Sequence, residues 1–156
     1  MKIVRAMKQI ARLKGEVQQL KHRIESCLST VVENEEFNEN MPNLTDELDK
    51  KITKIVNLKA GVMHANVKHN MFEKILNLGE LKSYIEYLKE LQPKSGFVVE
   101  PYEKEKIEYK SQFTIAEKNE KIKECQRLIN DLTDDLDEFN AKTDILELDV
   151  AVWLTS

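Results

Sequence analysis

The chain has 156 residues, of which 33% are charged and 6% aromatic, and its net charge is −4. That length suits one domain with a modest core. With four glycines and three prolines the composition excludes sandwiches and doubly wound sheets, points to long helices, and gives no sign of a polyanionic partner.

Residues 1–32 read as a helix. Ile3, Ile10, Val17, Ile24 and Val31 recur every seven residues, with Ala6, Leu13, Leu20 and Cys27 between them, so every a and d position of a coiled-coil heptad is apolar. Lys2, Arg5, Lys8, Arg12 and Lys14 interrupt these apolar residues at helical spacing, which leaves no h-region for a secretory signal. From Glu33 to Asn43 the chain is acidic, rich in Asn and punctuated by Pro42, a loop.

Thr45 or Asn43 is the expected cap of a second helix, 45–68, along which Leu48, Ile52, Ile55, Val62 and Asn66 recur at steps near three and four. His64 to Asn70 is a helix end, a kink or a short turn. A third helix, 71–92, carries Leu78, Leu81, Ile85, Leu88 and Leu91 on one face, and Pro93 and Gly96 end it.

Residues 97–113 change period. Phe97-Val98-Val99 is β-prone, and Ile107, Tyr109, Ser111 and Phe113 alternate with polar residues, so a short β-ribbon is expected with its bend near Pro101. Such a ribbon is marginal alone and leans on helices or on another subunit.

The last helix, 114–146, opens with the Thr114-x-x-Glu117 spacing of a capping box. Ile115, Ile122, Ile129 and Leu136 fall on one heptad position, Cys125, Leu132, Phe139 and Leu146 on the other. Residues 1–149 thus read as a single domain. An apolar tail, 150–156, follows it and holds the only tryptophan, Trp153.

Charge suggests how the helices pair. Residues 1–14 carry five basic side chains and no acidic one; residues 131–149 carry eight acidic ones against Lys142. Antiparallel packing of the first helix on the last brings the two blocks together. The expected fold is mainly α, an elongated antiparallel bundle with coiled-coil heptads and a short ribbon at about 97–113.

Sites for chemistry are scarce. His64 and His69 are five apart and lie on different faces of a helix, and no second cluster completes a metal set. Cys27 and Cys125 sit at d positions and read as small buried hydrophobes, reduced in a cytoplasmic protein. Gly61, Gly79 and Gly96 form no phosphate loop, and the acidic run from Asp131 to Glu138 lacks a calcium-loop layout. No membrane span and no cofactor are expected. Asn66 and Asn140 either set the register of a seam or lie at a bundle edge in water. In the tail, Val150, Val152 and Leu154 alternate with Ala151 and Trp153, so both faces are apolar. Val150, Val152, Trp153 and Leu154 are expected to mediate self-association.

With its N-terminal heptads and Leu20-Lys21-x-Arg23-Ile24, the chain resembles a small uncharacterised bacterial family labelled septicolysin-like. The likeness continues through Asn66, Leu81-Lys82-x-x-Ile85-x-x-Leu88-x-x-Leu91, Glu108-Tyr109-Lys110 and Asn140-Ala141-Lys142-Thr143-Asp144. The resemblance implies a helical, coiled-coil-rich fold and no established activity.

The expected function is therefore structural: a cytoplasmic, non-enzymatic protein that forms homo-oligomers and binds a protein partner. The alternatives are a prefoldin-like holding chaperone and a nucleic-acid or phage-assembly accessory protein using the basic face of residues 1–14, where an internal acidic partner makes nucleic acid the weaker choice.

Overall fold

In a computed structural model, residues 1–33, 36–37, 39–99, 102 and 106–148 are described. They form four helices and a hairpin: α1 (Ile3–Ser26), α2 (Met41–Lys68), α3 (Met71–Glu90), β1 (Gly96–Val99), β2 (Lys106–Tyr109) and α4 (Ile115–Lys142). The mainly helical class with one short ribbon agrees with the reading of the sequence. The chain gathers into two compact units, one of Met1–Asn70 with the residues from Phe139 onward, the other of Met71–Glu138.

The first unit is built on α1 and α2. Ile3, Ala6, Leu13 and Val17 of α1 bury against Ile55, Leu58 and Ala65 of α2, joined by Ile145. Leu20 and Cys27, at the end of α1, meet Leu44, at the start of α2, so the two helices run antiparallel. A partly buried ion pair braces them, Lys51 Nζ standing 2.7 Å from Glu16 Oε2. At the loop end Arg23 holds Glu39 at 2.7 Å.

α1 stops at Ser26, short of the heptad's last expected member. Val31 is 61% exposed and Val32 97% exposed, so nothing rewards continuing a β-branched run that costs a helix side-chain freedom. α2 starts at Met41, earlier than Thr45. Asn40 is the cap, its side chain accepting from the Asn43 N–H at 3.1 Å, and Pro42 stands in the first turn, where its missing N–H costs nothing. Thr45 instead donates back to the carbonyls of Met41 and Pro42. The helix runs on to Lys68, and Asn70, at φ 56°, turns the chain into α3. Asn tolerates that left-handed conformation better than most residues.

The second unit pairs α3 with α4. Ile85 and Leu88 bury with Cys125 and Ile129, flanked by Leu78, Leu81, Leu91, Phe113 and Ile122. Lys74, near the start of α3, pairs with Asp135, near the end of α4, while Lys118 Nζ donates to the Leu91 carbonyl at 2.8 Å. This pair is antiparallel too. The capping box forms as expected: Thr114 N–H donates to Glu117 Oε2 at 2.8 Å, and Glu117 N–H donates to Thr114 Oγ1 at 3.1 Å.

Within the first unit the seam of α1 is spent on α2, and within the second that of α4 is spent on α3, each helix taking a neighbour in sequence. The opposed charge blocks meet where Lys2 stands 2.6 Å from Asp144. Arg12 turns instead to Glu16 on its own helix.

Candidate functional site

The start of α1 has no side-chain cap. The segment after α4 holds it in place: Ile3 N–H donates to the Thr143 carbonyl at 2.9 Å, and Ile145 N–H to the Met1 carbonyl at 2.8 Å. Lys2 Nζ adds bonds to the Lys142 carbonyl at 2.7 Å and to Asp144 at 2.6 Å. The amino terminus lies 3.4 Å from the same carboxylate. The Lys2 hydrogen bond, aided by its charge and by the amino terminus, holds the Asp144 carboxyl below its ordinary value of 3.8. This pairing ends α4 at Lys142, because residues 143–145 bond across to residues 1–3 instead of continuing the helix.

The same segment then crosses α2 at Gly61. A β-carbon at Gly61 would stand 2.8 Å from the Leu146 carbonyl oxygen, so only glycine admits the crossing. Beyond it opens a groove of about 470 Å³. Met1, Leu58, Ile145, Leu146 and Leu148 supply an apolar wall, and Gln9, Lys50, Thr53, Lys54, Asn57 and Glu147 supply polar groups. Lys50, Thr53, Lys54 and Asn57 share one face of α2, at helical spacing. Lys50 is paired with Asp46 at 2.6 Å, whereas the exposed Lys54 makes no ion pair among the described residues. The Thr53 hydroxyl oxygen is buried and has no hydrogen-bond partner, a cost that an added donor or acceptor would remove.

In the second unit the hairpin pairs Phe97 with Glu108, Val98 with Ile107 and Val99 with Lys106. Val98 and Ile107 are half-buried, while Phe97 and Val99 stand on the other face at 69% and 61% exposure. Lys94 Nζ lies 4.9 Å from the centre of the Tyr109 ring.

The residues singled out from sequence are placed unevenly. Asn66 and Asn140 are both half-buried, and Asn66 Oδ1 is buried without a hydrogen-bond partner. Val150, Val152, Trp153 and Leu154 lie outside the described residues, as does Pro101 at the expected bend. Cys27 and Cys125 are free, buried thiols. His69 sets its ring against Phe139, centroids 5.5 Å apart. Among the described residues no group of three or more His, Cys, Asp or Glu is placed to hold a metal ion, and no helix is long and apolar enough to cross a membrane. Thr53, Lys54, Asn57 and Gly61 had no motif to mark them. They become a site only when residues 143–148 fold back on α2.

No curated protein and no solved structure matches the chain. The model of one family, described only as a family of unknown function (DUF6847), matches residues 11–145, a span that takes in α1 from residue 11 onward, α2, α3, the hairpin and α4. The chain belongs to that family.

Proposed function

We propose that this is a non-enzymatic, cytoplasmic interaction protein that assembles with copies of itself, and that the hairpin of the second unit makes the contact. The observation that supports this is the outer face of that hairpin. Among the described residues it has two strands and no third beside them, and it presents Phe97 and Val99 to solvent opposite Glu108 and Lys106. An edge strand with exposed apolar side chains is a template for pairing with another chain. Light scattering on the full chain tests the reading. A mass above that of one chain is expected, falling to one chain when Phe97→Ser and Val99→Ser are combined. A single-chain mass for the unaltered protein across the micromolar range overturns it.

A second reading has a specific observation in its favour. The second unit is an antiparallel helix pair with β-structure between the helices, the arrangement expected of a prefoldin-like holding chaperone. Suppression of aggregation of an unfolded client by the full chain, lost in the Phe97→Ser/Val99→Ser variant, would favour it over self-association alone. The septicolysin-like affiliation is proposed on the residues that carry the resemblance, and it adds no activity to either reading.

A further inference from the structure

We propose that β1 is the strand that meets a second copy of this chain, pairing antiparallel with the same strand there, so that two hairpins join into one four-stranded sheet. This rests on the self-association proposed for the hairpin and adds to it the edge, the direction and the register. As edges the two strands are unlike. β2 reads Lys106-Ile107-Glu108-Tyr109 and is followed by Lys110, whereas β1 reads Gly96-Phe97-Val98-Val99 and carries no charge. Charged side chains guard an edge against pairing with another chain; an edge of Phe and Val has no such guard. Among the described residues no third strand lies beside β1. Two strands alone are marginal in water, and a second hairpin brings the sheet past that limit.

Side-chain alternation limits the register. Phe97 and Val99 lie on the outer face with Glu108 and Lys106, while Val98 and Ile107, both half-buried, share the inner face. A neighbouring strand must set inner residues opposite inner and outer opposite outer. A two-fold antiparallel pair of β1 strands is therefore centred on a residue, not between two. Centring on Val98 sets Val98 opposite itself and Phe97 opposite Val99 of the second copy, twice over, an aromatic on a β-branched side chain each time. Centring on Phe97 would set Val98 opposite Gly96, which has no side chain to pack. Centring on Val99 would leave most of β1 unmatched by β1. In the favoured register Phe97 and Val99 of both copies gather at the middle of the outer face. Lys106 and Glu108 then guard both edges of the new sheet, so pairing stops at two copies.

Val98→Cys in the full chain is the direct test. A residue on the two-fold axis faces its own copy with α-carbons about 4.5–5.5 Å apart, within disulfide reach. Under mild oxidation of the native protein, most of the Val98→Cys variant is expected to run at twice the mass of one chain in the absence of reductant. Ile107→Cys, on the same face but on β2, is expected to stay single. So is the unaltered chain, whose Cys27 and Cys125 are buried. Should Val98→Cys fail to fold, Val99→Lys decides, at a position 61% exposed. It places a charge on the β1 edge and is expected to bring the mass by light scattering down to one chain, whereas Lys106→Glu, which keeps β2 charged, leaves the mass unchanged. Linkage through Ile107→Cys as readily as through Val98→Cys overturns the proposal, and so does a dimer that survives Val99→Lys in a folded chain. A mass above one chain with no Val98→Cys linkage overturns β1 pairing alone and leaves the self-association standing. A single-chain mass for the unaltered protein overturns both.

Discussion

The carbonyl oxygen of Leu146 stands 2.8 Å from the point where Gly61 would carry a β-carbon, closer than a β-carbon tolerates. Backbone thus packs on backbone where the C-terminal segment crosses α2, and the groove begins on the far side of that crossing. Gly61→Ala is expected to push the segment off the helix and to lower stability by about 1–3 kcal/mol, the range for overpacking a close contact. Gly15→Ala and Gly79→Ala are the controls. A β-carbon at either meets nothing within 4 Å. Each is therefore expected to stabilise its helix by roughly 0.5–1 kcal/mol. Urea unfolding midpoints of the three variants check both signs.

The clasp between Lys2 and Asp144 is expected to make stability depend on pH. The folded carboxyl lies below its unfolded value, so its contribution is complete above the ordinary carboxylate range, about pH 4, and is lost as pH falls through the lowered value. Asp144→Asn should be less stable than the unaltered chain at neutral pH. The difference should vanish in acid, as followed by denaturant titration from pH 7 to pH 2. A difference that persists at the acid end would mean that Asp144 acts through packing rather than charge.

At the start of α4 the two reciprocal bonds of Thr114 and Glu117 satisfy two N–H groups that the helix leaves open. Thr114→Ala is expected to cost about 1 kcal/mol, and Thr114→Ser to recover most of that. Thermal unfolding of the two variants against the unaltered chain measures it.

The core of the second unit rests on few residues, Leu88 at 2% exposure and Cys125 at 3% among them. Leu88→Ala is expected to cost about 2–5 kcal/mol, because the cavity it leaves can close only in part. Hydrogen exchange should show increased exchange in α3 and α4. Both thiols should react slowly with a bulky reagent in the native protein, Cys125 gaining reactivity in the Leu88→Ala variant before Cys27 does.

Much of this fold is written locally. Apolar residues seven apart in residues 3–27 and 115–142 determine that those stretches are helical, since a 3.6-residue turn places them on one side. Thr114 and Glu117 determine where α4 begins, because a cap acts over three residues. The alternation at 107–109 determines a strand, because side chains there take turns on two faces. None of these depends on a distant partner.

Tertiary structure decided which seam meets which. A row of Ile, Leu and Val side chains fits any similar row and carries no address, so the heptads of α1 and α4 suited each other on paper as well as they suit α2 and α3. Exposed charge could not settle the choice, since an exposed pair is worth only about 0–1 kcal/mol. Burial did: Ile3 and Ala6 are wholly covered by packing on α2, and Ile145 joins that core from the other end of the sequence. The groove had to wait for the same event. Its walls come from Met1, Gln9, residues 50–58 and residues 145–148, and only the folded backbone, crossing at Gly61, brings them together.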